Sequence, residues 1–507
     1  MLRVIIIKPS KYGVSGHVER FRRGFMPNAT VPYIRSMTPA SIDGIEIQVF
    51  AIDEYVQADL SYLDLIRYPG EPTLLALVGV QSHQFQRSLD LAAFAKEHGV
   101  GHCVIGGPHP MTCDTTALQN HGVSFALSEA EAVWMSILKD AIGGTLRPVY
   151  GGDQRWVDQV RPPVLVPPPR HDMRRYIYPM LGVYPARGCP FTCNFCSVIK
   201  IAGREIRSQP VETTIESLRA AKIAGIRMVM FTSDNFNKYP DAPELLERMI
   251  EERFELPFFV QCDTQIAKEE EFIRLLARAG CFQMFVGVES FRRETLIAAH
   301  KTQNHPDRYA DIVRLLAKHN IQSHFSNIIG FPADTPESVD QHVRVLQSLN
   351  PTVASFYILT PIPGTEQYDE FLESGWITER NLDRFDGQCS TWTHPNFTKD
   401  ALESLLFDCH RRFFTLKRTI STSAERLLRN RSLSDALGAL NQPLFSRYSA
   451  FRRRHPMSGG IGLLYRDHVA DYAAFRRSVF KIDLATLPMS LALSGTDAGR
   501  AARAKVV

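Results

Sequence analysis

The chain has 507 residues, of which 44% are hydrophobic and 22% charged, a composition typical of a globular protein with two or three domains. Its net charge of +4 is too small for this length to predict nucleic-acid binding, and no apolar run approaches the roughly 20 residues of a membrane span. Nine cysteines, thinly spread outside one cluster, argue against a disulfide framework and predict a reducing, cytoplasmic compartment.

Residues 1–150 alternate short apolar strands with helical patterns. The strands are continuously apolar, as in a parallel sheet whose two faces are covered by helices. Helical patterns lie at Ser88–His98 and Glu129–Ile142. Five strands in about 150 residues predict a doubly wound, Rossmann-like α/β domain. The predicted strands are Val4–Ile7, Ile45–Ala51, Leu74–Val80, Cys103–Ile105 and Ser124–Leu127.

Five prolines mark residues 151–178 as a stiff, extended linker, since proline lacks an amide donor and fixes its own φ angle. They are Pro162, Pro163, Pro167, Pro168 and Pro169.

Residues 179–375 carry a second strand–helix series, which predicts a partial (β/α)6 barrel that is open on one side. Reactive groups in such folds gather at the carboxyl ends of the strands. Residues 376–507 are rich in arginine and predict a helical C-terminal region without clear strands. The six predicted barrel strands are Leu181–Tyr184, Met228–Thr232, Phe258–Gln261, Met284–Gly287, Ser323–Ile329 and Ala354–Leu359.

Three cysteines follow the first barrel strand with the spacing C-x3-C-x2-C: Cys189, Cys193 and Cys196. Thiolates are soft ligands that suit iron–sulfur clusters and zinc. A structural zinc site usually needs four ligands, whereas a cubane held by three cysteines leaves one iron open to a small ligand. The spacing favours the cubane; the alternatives are a zinc site completed by a distant residue, or three unrelated thiols.

This motif resembles the signature of the radical S-adenosylmethionine (SAM) superfamily, with Phe195 as its aromatic residue. The resemblance implies a [4Fe-4S] cluster whose open iron binds the amino and carboxylate groups of SAM. An electron from the cluster would cleave SAM into methionine and a 5′-deoxyadenosyl radical, which would remove a hydrogen atom from an unactivated C–H bond.

The resemblance extends to the ends of the later strands. It implies that Ser233 and Asp234 lie near the SAM amino group, although the usual Gly-Gly-Glu is missing. Gln261 ends the third strand. The resemblance also implies that Glu289 binds the ribose of SAM and that the backbone around Ile329 contacts its adenine. No catalytic side chain is assigned.

Each of these segments also has an ordinary structural interpretation. Asp234 is a suitable cap for the turn that follows it, and Glu289 is spaced to pair with Arg292 on the surface. Gly330-Phe331-Pro332 is compatible with a common turn. Their order behind the cysteine motif favours the functional interpretation.

The N-terminal domain resembles the cobalamin-binding domain of class B radical SAM enzymes. The resemblance implies that the Ser82 region, Gly106 and Gly107 line the channel for the nucleotide tail. The Asp-x-His-x-x-Gly motif of classical cobalamin proteins is absent and His17 does not match it, so we expect cobalamin without a protein histidine on cobalt. His109 is expected to make only a local hydrogen bond. The alternative is a domain that has lost its cofactor.

Two arginine groups are less specific. Arg20, Arg22 and Arg23, and the run Arg452-Arg453-Arg454, are suited to bind anionic groups but equally to form solvated or salt-bridged faces.

Together these features predict a cobalamin-dependent radical SAM methyltransferase that acts on an unactivated carbon of a small biosynthetic substrate. The resemblance implies two uses of SAM: one to methylate cob(I)alamin, the other to generate the radical. It also implies an external electron donor such as flavodoxin or ferredoxin. The alternatives are a ring-forming or oxidising enzyme resembling the anaerobic magnesium-protoporphyrin ester cyclase, and a noncatalytic corrinoid or iron–sulfur sensor.

Overall fold

A computed structural model describes residues 1–69, 72–158, 163–430, 433–464, 472–481, 488–492 and 497. Its N-terminal part has eight strands, seven of which form one sheet in the order β3-β4-β1-β5-β6-β7-β8. All neighbouring pairs in this sheet are parallel except the β3–β4 hairpin. The strands are β1 (Leu2–Lys8), β2 (Arg20–Gly24), β3 (Ser41–Ile42), β4 (Ile45–Asp53), β5 (Thr73–Leu77), β6 (His102–Gly106), β7 (Ser124–Ala126) and β8 (Val149–Tyr150).

The five predicted strands of this domain are all present. The additional strands β3 and β8 have two residues each, too short to show a pattern. Helices cover the sheet because its apolar strands need burial on both faces. These helices are α1 (Thr30–Met37), α2 (Asp64–Arg67), α3 (Ser82–Glu97), α4 (Pro108–Thr112) and α5 (Ala130–Ile142).

The proline-rich segment runs along both halves of the molecule. Pro162 lies outside the described residues, and Pro163–Pro169 has no regular secondary structure. The Leu165 amide donates to Ser217 Oγ (3.1 Å) and the Val166 amide to Ser36 Oγ (2.8 Å). A short helix, α6 (Arg170–Met173), follows. The segment is therefore held by side chains of both halves.

A second sheet contains all six predicted barrel strands, in the order β16-β15-β14-β13-β12-β9. Every neighbouring pair is parallel. The described residues show no pairing between the two end strands, so the barrel is open on one side. Its strands are β9 (Leu181–Val183), β12 (Val229–Phe231), β13 (Phe258–Cys262), β14 (Cys281–Glu289), β15 (Gln322–Ile329) and β16 (Val353–Ile358); a small hairpin joins β10 (Ala186–Arg187) to β11 (Arg207–Ser208).

Helices alternate with these strands, and their apolar faces fill the space around the sheet. They are α7 (Val198–Ile201), α8 (Val211–Ile223), α9 (Ala242–Glu251), α10 (Glu270–Ala279), α11 (Arg293–Ala298), α12 (Tyr309–Lys318), α13 (Pro336–Leu349) and α14 (Glu366–Glu373).

One hydrophobic core joins the two sheets. It contains Val4 of the first sheet and Leu181 of the second, and the rings of Tyr33 and Tyr184 meet between them at 5.4 Å. The carboxyl ends of both sets of parallel strands line a shared group of cavities, described below.

The C-terminal region is mainly helical but contains a strand that the sequence did not predict. Strand β17 (Gly460–Leu464) pairs antiparallel with β2, so the chain's last part returns to the N-terminal domain. Its helices are α15 (Lys399–Phe413), α16 (Leu416–Asn430), α17 (Leu433–Phe451) and α18 (Tyr472–Phe480). No helix among the described residues is both long and apolar enough to cross a bilayer.

Candidate active site between the two sheets

Three neighbouring cavities lie where the strands of both sheets end. The inner cavity, of about 260 Å³, is lined by Gly106 and Gly107 of the first sheet. The barrel cavity, of about 400 Å³, is lined by Phe195 and Glu289 of the second. The central cavity, of about 740 Å³, has walls from both sheets. Pro108 lines all three, so the cavities meet at one point of the molecule.

The cysteine loop is held against the barrel by backbone hydrogen bonds. The Cys189 amide donates to the carbonyl of Gly203 (3.1 Å), and the Asn194 amide donates to the carbonyl of Ala299 at the end of α11 (3.2 Å). Gly188 has φ +100°, and a Cβ there would lie 2.1 Å from the carbonyl oxygen of Glu205. Only glycine fits this position, so the turn into the loop is fixed by the sequence.

The three thiols lie in a protected environment. Cys193 is buried and the other two are half-buried. Burial raises the pKa of the Cys189 thiol to about 11 and that of Cys196 to about 12. Buried thiols of this kind deprotonate only when a metal or another cation compensates the charge. Their environment therefore suits metal-bound thiolates.

The three thiols do not converge on a preformed single-ion site among the described residues. Among the residues that the structure describes, no three His, Cys, Asp or Glu side chains converge tightly enough to hold one metal ion. In a cubane each cysteine binds a different iron, so the sulfurs surround a larger volume.

A buried ion pair stands beside the cysteine loop. Lys301 Nζ donates to Glu289 Oε1 (2.9 Å) and lies 5.7 Å from the centre of the Phe195 ring. Burial opposes its charge, but Glu289 and Cys193 together raise the Lys301 pKa. Next to it, Gln303 Nε2 donates to Cys193 Sγ (3.7 Å). The pair thus places a cation and a carboxylate side by side on the rim of the barrel cavity.

The surface pairing of Glu289 with Arg292 is wrong. Glu289 is buried and adopts φ +59°, a strained conformation for a residue with a side chain. Its second oxygen, Oε2, accepts from Ser326 Oγ (3.3 Å). Arg292 instead donates to the carbonyl of Ala333 (2.9 Å). The strained backbone conformation of Glu289 thus accompanies the placement of its carboxylate at the barrel cavity.

Asp234 does not cap the turn that follows it. Its Oδ2 accepts from the amide of Gly188 (2.8 Å), which ties the second barrel strand to the cysteine loop. Burial raises the pKa of this carboxyl group. It lines both the inner and the central cavity, whereas Gln261 lines the central cavity.

Two predicted residues keep their side chains out of the cavities. Ser233 is buried, and its hydroxyl has no hydrogen-bond partner within the described chain. The Ile329 side chain lies in the core, so only its backbone can contribute, while its neighbour Ile328 lines the barrel cavity.

In the N-terminal domain, Ser82 at the start of α3 and the glycine pair after β6 line different cavities. Gly106 and Gly107 border the inner cavity, but Ser82 borders the barrel cavity. A Cβ on Gly107 (φ +135°) would lie 2.2 Å from the amide nitrogen of Val80, so the backbone approaches closely only because the side chain is absent.

The two histidines singled out in the sequence have local roles. His109 Nδ1 pairs with Ser82 Oγ (3.0 Å) and its ring lies 4.0 Å from that of Phe85, which confirms the expected hydrogen bond. Burial lowers its pKa to about 3, so the ring is neutral. His17 pairs with Ser15 Oγ (2.9 Å) and borders none of the three cavities.

Four residues that the sequence did not single out join the site. Lys301 has been described; His83, Tyr357 and Asp386 line both the barrel and the central cavity. Asp386 forms an ion pair with Lys11, and burial lowers the pKa of the His83 ring to about 3. Tyr357 lies near the carboxyl end of the predicted strand Ala354–Leu359, and this was the one sequence signal for any of the four.

Comparison with known proteins agrees with this arrangement. The radical SAM superfamily profile matches residues 183–346. Bacteriochlorophyllide d C-8(2)-methyltransferase of Chlorobaculum tepidum is 25% identical over 434 residues, which are 79% of this chain and 90% of the relative.

Two solved structures share the fold at low sequence identity. The radical SAM methyltransferase TsrM of Kitasatospora setae, with cobalamin and a [4Fe-4S] cluster bound, has a TM-score of 0.55 at 18% identity and covers 73% of this chain and 78% of its own. The cobalamin-dependent SAM radical enzyme OxsB has a TM-score of 0.56 at 12% identity and covers 88% and 72%.

Proposed function

We propose that the chain is a C-methyltransferase of the radical SAM superfamily, among the members with an N-terminal cobalamin-binding domain. Its substrate is a small biosynthetic molecule that is methylated at an unactivated carbon. The observation that carries this proposal is that the inner cavity, the barrel cavity and the central cavity meet at Pro108. A cofactor held by the first sheet and a cofactor held by the second would therefore both face a substrate bound where the cavities meet.

Cys189, Cys193 and Cys196 hold the [4Fe-4S] cluster, which when bound supplies the electron that cleaves SAM. The chain supports it with Gln303, which donates to the Cys193 sulfur, and with Lys301, whose charge stabilises nearby thiolates. Buried walls around the loop exclude water from the reaction.

The barrel cavity receives SAM. Glu289 accepts hydrogen bonds from the ribose hydroxyls, Lys301 lies ready for the carboxylate, and Ile328 with the backbone of Ile329 borders the adenine. Phe195 forms the wall beside the cysteine loop. Ser233 and Asp234 stay assigned to the side near the amino group. Gln261, at the end of the third barrel strand, is proposed to contact the cofactors from the central cavity.

We expect Glu289→Gln to weaken SAM binding by roughly one to two powers of ten, because a hydrogen bond to a charged group contributes about 1.5–3 kcal/mol. Glu289→Ala should be worse, and both leave the Lys301 charge buried without its partner, which lowers the melting temperature. Equilibrium dialysis with SAM and thermal denaturation measure the two effects. Glu294→Gln, which removes an exposed charge five residues later in the chain, is the matched control. Unchanged SAM affinity in Glu289→Gln would contradict the ribose assignment.

The inner cavity receives the nucleotide tail of cobalamin, which when bound carries the methyl group to the substrate. Gly106 and Gly107 carry no side chains and therefore leave the backbone accessible at the end of the strand. An apolar wall of the cavity is formed by Val104, Ala126 and Trp134. The part of the central cavity next to the first sheet would hold the corrin ring.

We expect the cobalt to carry no protein histidine. His17 borders none of the three cavities, and His83 is the one histidine among their described lining residues. The Co(II) paramagnetic spectra of His17→Ala and His83→Ala should therefore match that of the unaltered holoprotein. Loss of a nitrogen splitting in His83→Ala would assign that ring to cobalt and overturn the expectation.

Two further elements belong to the proposal: an external electron donor such as flavodoxin or ferredoxin, and a reducing cytoplasm. All nine cysteines are unpaired, which supports a reducing compartment.

A ring-forming cyclase shares the same two-part architecture and is the enzymatic alternative. A corrinoid sensor is the noncatalytic alternative. SAM labelled with deuterium on its methyl group separates them, because a methyltransferase alone gives a substrate that carries the labelled methyl.

A further inference from the structure

The helices α16 and α17 expose an unusual number of large apolar side chains. Of the 19 such side chains that the described residues expose, seven lie on these two helices, with exposed fractions of 39–80%. We call this set the hairpin patch: Leu416, Ile420, Leu427, Leu428, Leu444, Tyr448 and Phe451.

The patch is organised into stripes. On α16, Leu416, Ile420 and Leu427 are spaced i, i+4, i+11 and fall within about 40° of one another around the helix axis. On α17, Leu444, Tyr448 and Phe451 are spaced i, i+4, i+7 and share a face in the same way.

Helix α16 buries hydroxyl groups and exposes large apolar side chains, which reverses the usual pattern of an amphipathic helix. Two hydroxyl residues of this helix, Thr419 and Ser423, are only 3% and 9% exposed, while Ile420 is 63% and Leu428 80% exposed. A helix that buries hydroxyl groups and exposes leucine and isoleucine to water loses hydrophobic stabilisation. Such an arrangement indicates that another apolar phase covers the exposed stripe.

The same segment is strongly basic. Residues 411–454 contain eleven arginine and lysine residues against two acidic ones, a net charge of +9, whereas the whole chain carries only +4. The Arg447 guanidinium lies 4.8 Å from the Phe451 ring centre and that of Arg452 5.7 Å from the Tyr448 ring centre. Positive charge therefore borders the exposed rings.

We propose that the hairpin patch docks this enzyme onto the surface of an anionic lipid bilayer. Apolar stripes bordered by arginine are the signature of helices that lie in the membrane interface, where apolar side chains enter the lipid and basic groups meet the phosphates. A second copy of the chain is disfavoured because two segments of charge +9 would face each other. The arginine run Arg452-Arg453-Arg454 thereby binds lipid phosphates.

The test uses the full-length reconstituted holoprotein in sedimentation with two kinds of vesicle, one of phosphatidylcholine and one with added phosphatidylglycerol. We expect binding to the anionic vesicles that weakens with salt. Arg452→Glu with Arg453→Glu, and separately Ile420→Glu with Leu427→Glu, should each weaken it at least about tenfold. Ile223→Glu is the matched control, since Ile223 is 88% exposed on α8, away from the patch, and should bind normally.

Cluster content and melting temperature show that each variant is folded. Equal partitioning of the unaltered protein to both vesicle types, or none to either, overturns the proposal. So does a patch variant that binds vesicles normally but loses self-association or reduction by an acidic ferredoxin, which would assign the patch to a protein partner.

Discussion

Replacing Cys193 by alanine should abolish cluster assembly and SAM cleavage while the fold is retained. Each motif thiol binds a separate iron, so the loss of one leaves two ligands, too few to hold a cubane. Loss of outer partners of a metal site already costs 10–100-fold, so we expect loss of a ligand itself to lower 5′-deoxyadenosine formation by at least about a hundredfold. The loop is anchored by backbone bonds to Gly203 and Ala299, which the substitution leaves in place.

The measurement is iron and sulfide content together with 5′-deoxyadenosine released under anaerobic reduction. Cys409→Ala is the matched control, because Cys409 is buried on α15 outside the cysteine loop and should be dispensable, as should Cys103 and Cys113. A Cys193→Ala protein that keeps its cluster and cleaves SAM would refute the assignment of the motif.

Filling the inner cavity should remove cobalamin without affecting the cluster. Ala126 lines this cavity beside Gly106, its partner on the neighbouring strand, whose absent Cβ would lie 3.3 Å from the Ala126 Cβ. In Ala126→Phe the ring occupies space that the nucleotide tail requires. Overpacking of this kind costs about 1–3 kcal/mol, so cobalamin affinity should fall by roughly ten- to a hundredfold.

Cobalamin content after gel filtration and the yield of 5′-deoxyadenosine give the two readouts. Ala126→Gly enlarges the cavity and should retain cobalamin. An unchanged melting temperature would show that the Ala126→Phe protein is folded. Normal cobalamin content in that protein would then mean that the nucleotide tail binds elsewhere.

Much of the fold is visible in the sequence because parallel strands buried on both faces are continuous apolar runs. All six barrel strands were predicted on this basis, as was the Rossmann-like sheet. Strand β17 was missed because its partner β2 lies more than 400 residues earlier in the chain, and neither strand has a local pattern that announces the pairing.

The site was predictable where its residues are neighbours in sequence. The cysteine spacing is local, whereas Lys301 reaches Glu289 only because the chain folds back after α11. The i,i+3 spacing of Glu289 and Arg292 suggested a surface pair, but φ +59° at Glu289 turns its carboxylate inward. Asp386 lies in a part of the sequence without a recognisable motif. In the folded protein its ion pair with Lys11 holds it at the site.

The central claim is that one protein uses SAM in two different ways. The most direct measurement is the pair of products released from SAM by the reduced holoprotein, with and without bound cobalamin. We predict 5′-deoxyadenosine in both samples, and S-adenosylhomocysteine only when cobalamin is bound, in an amount set by the cobalamin content. Release of 5′-deoxyadenosine without any S-adenosylhomocysteine from the cobalamin-loaded protein would contradict the methyltransferase and favour a ring-forming or oxidising enzyme.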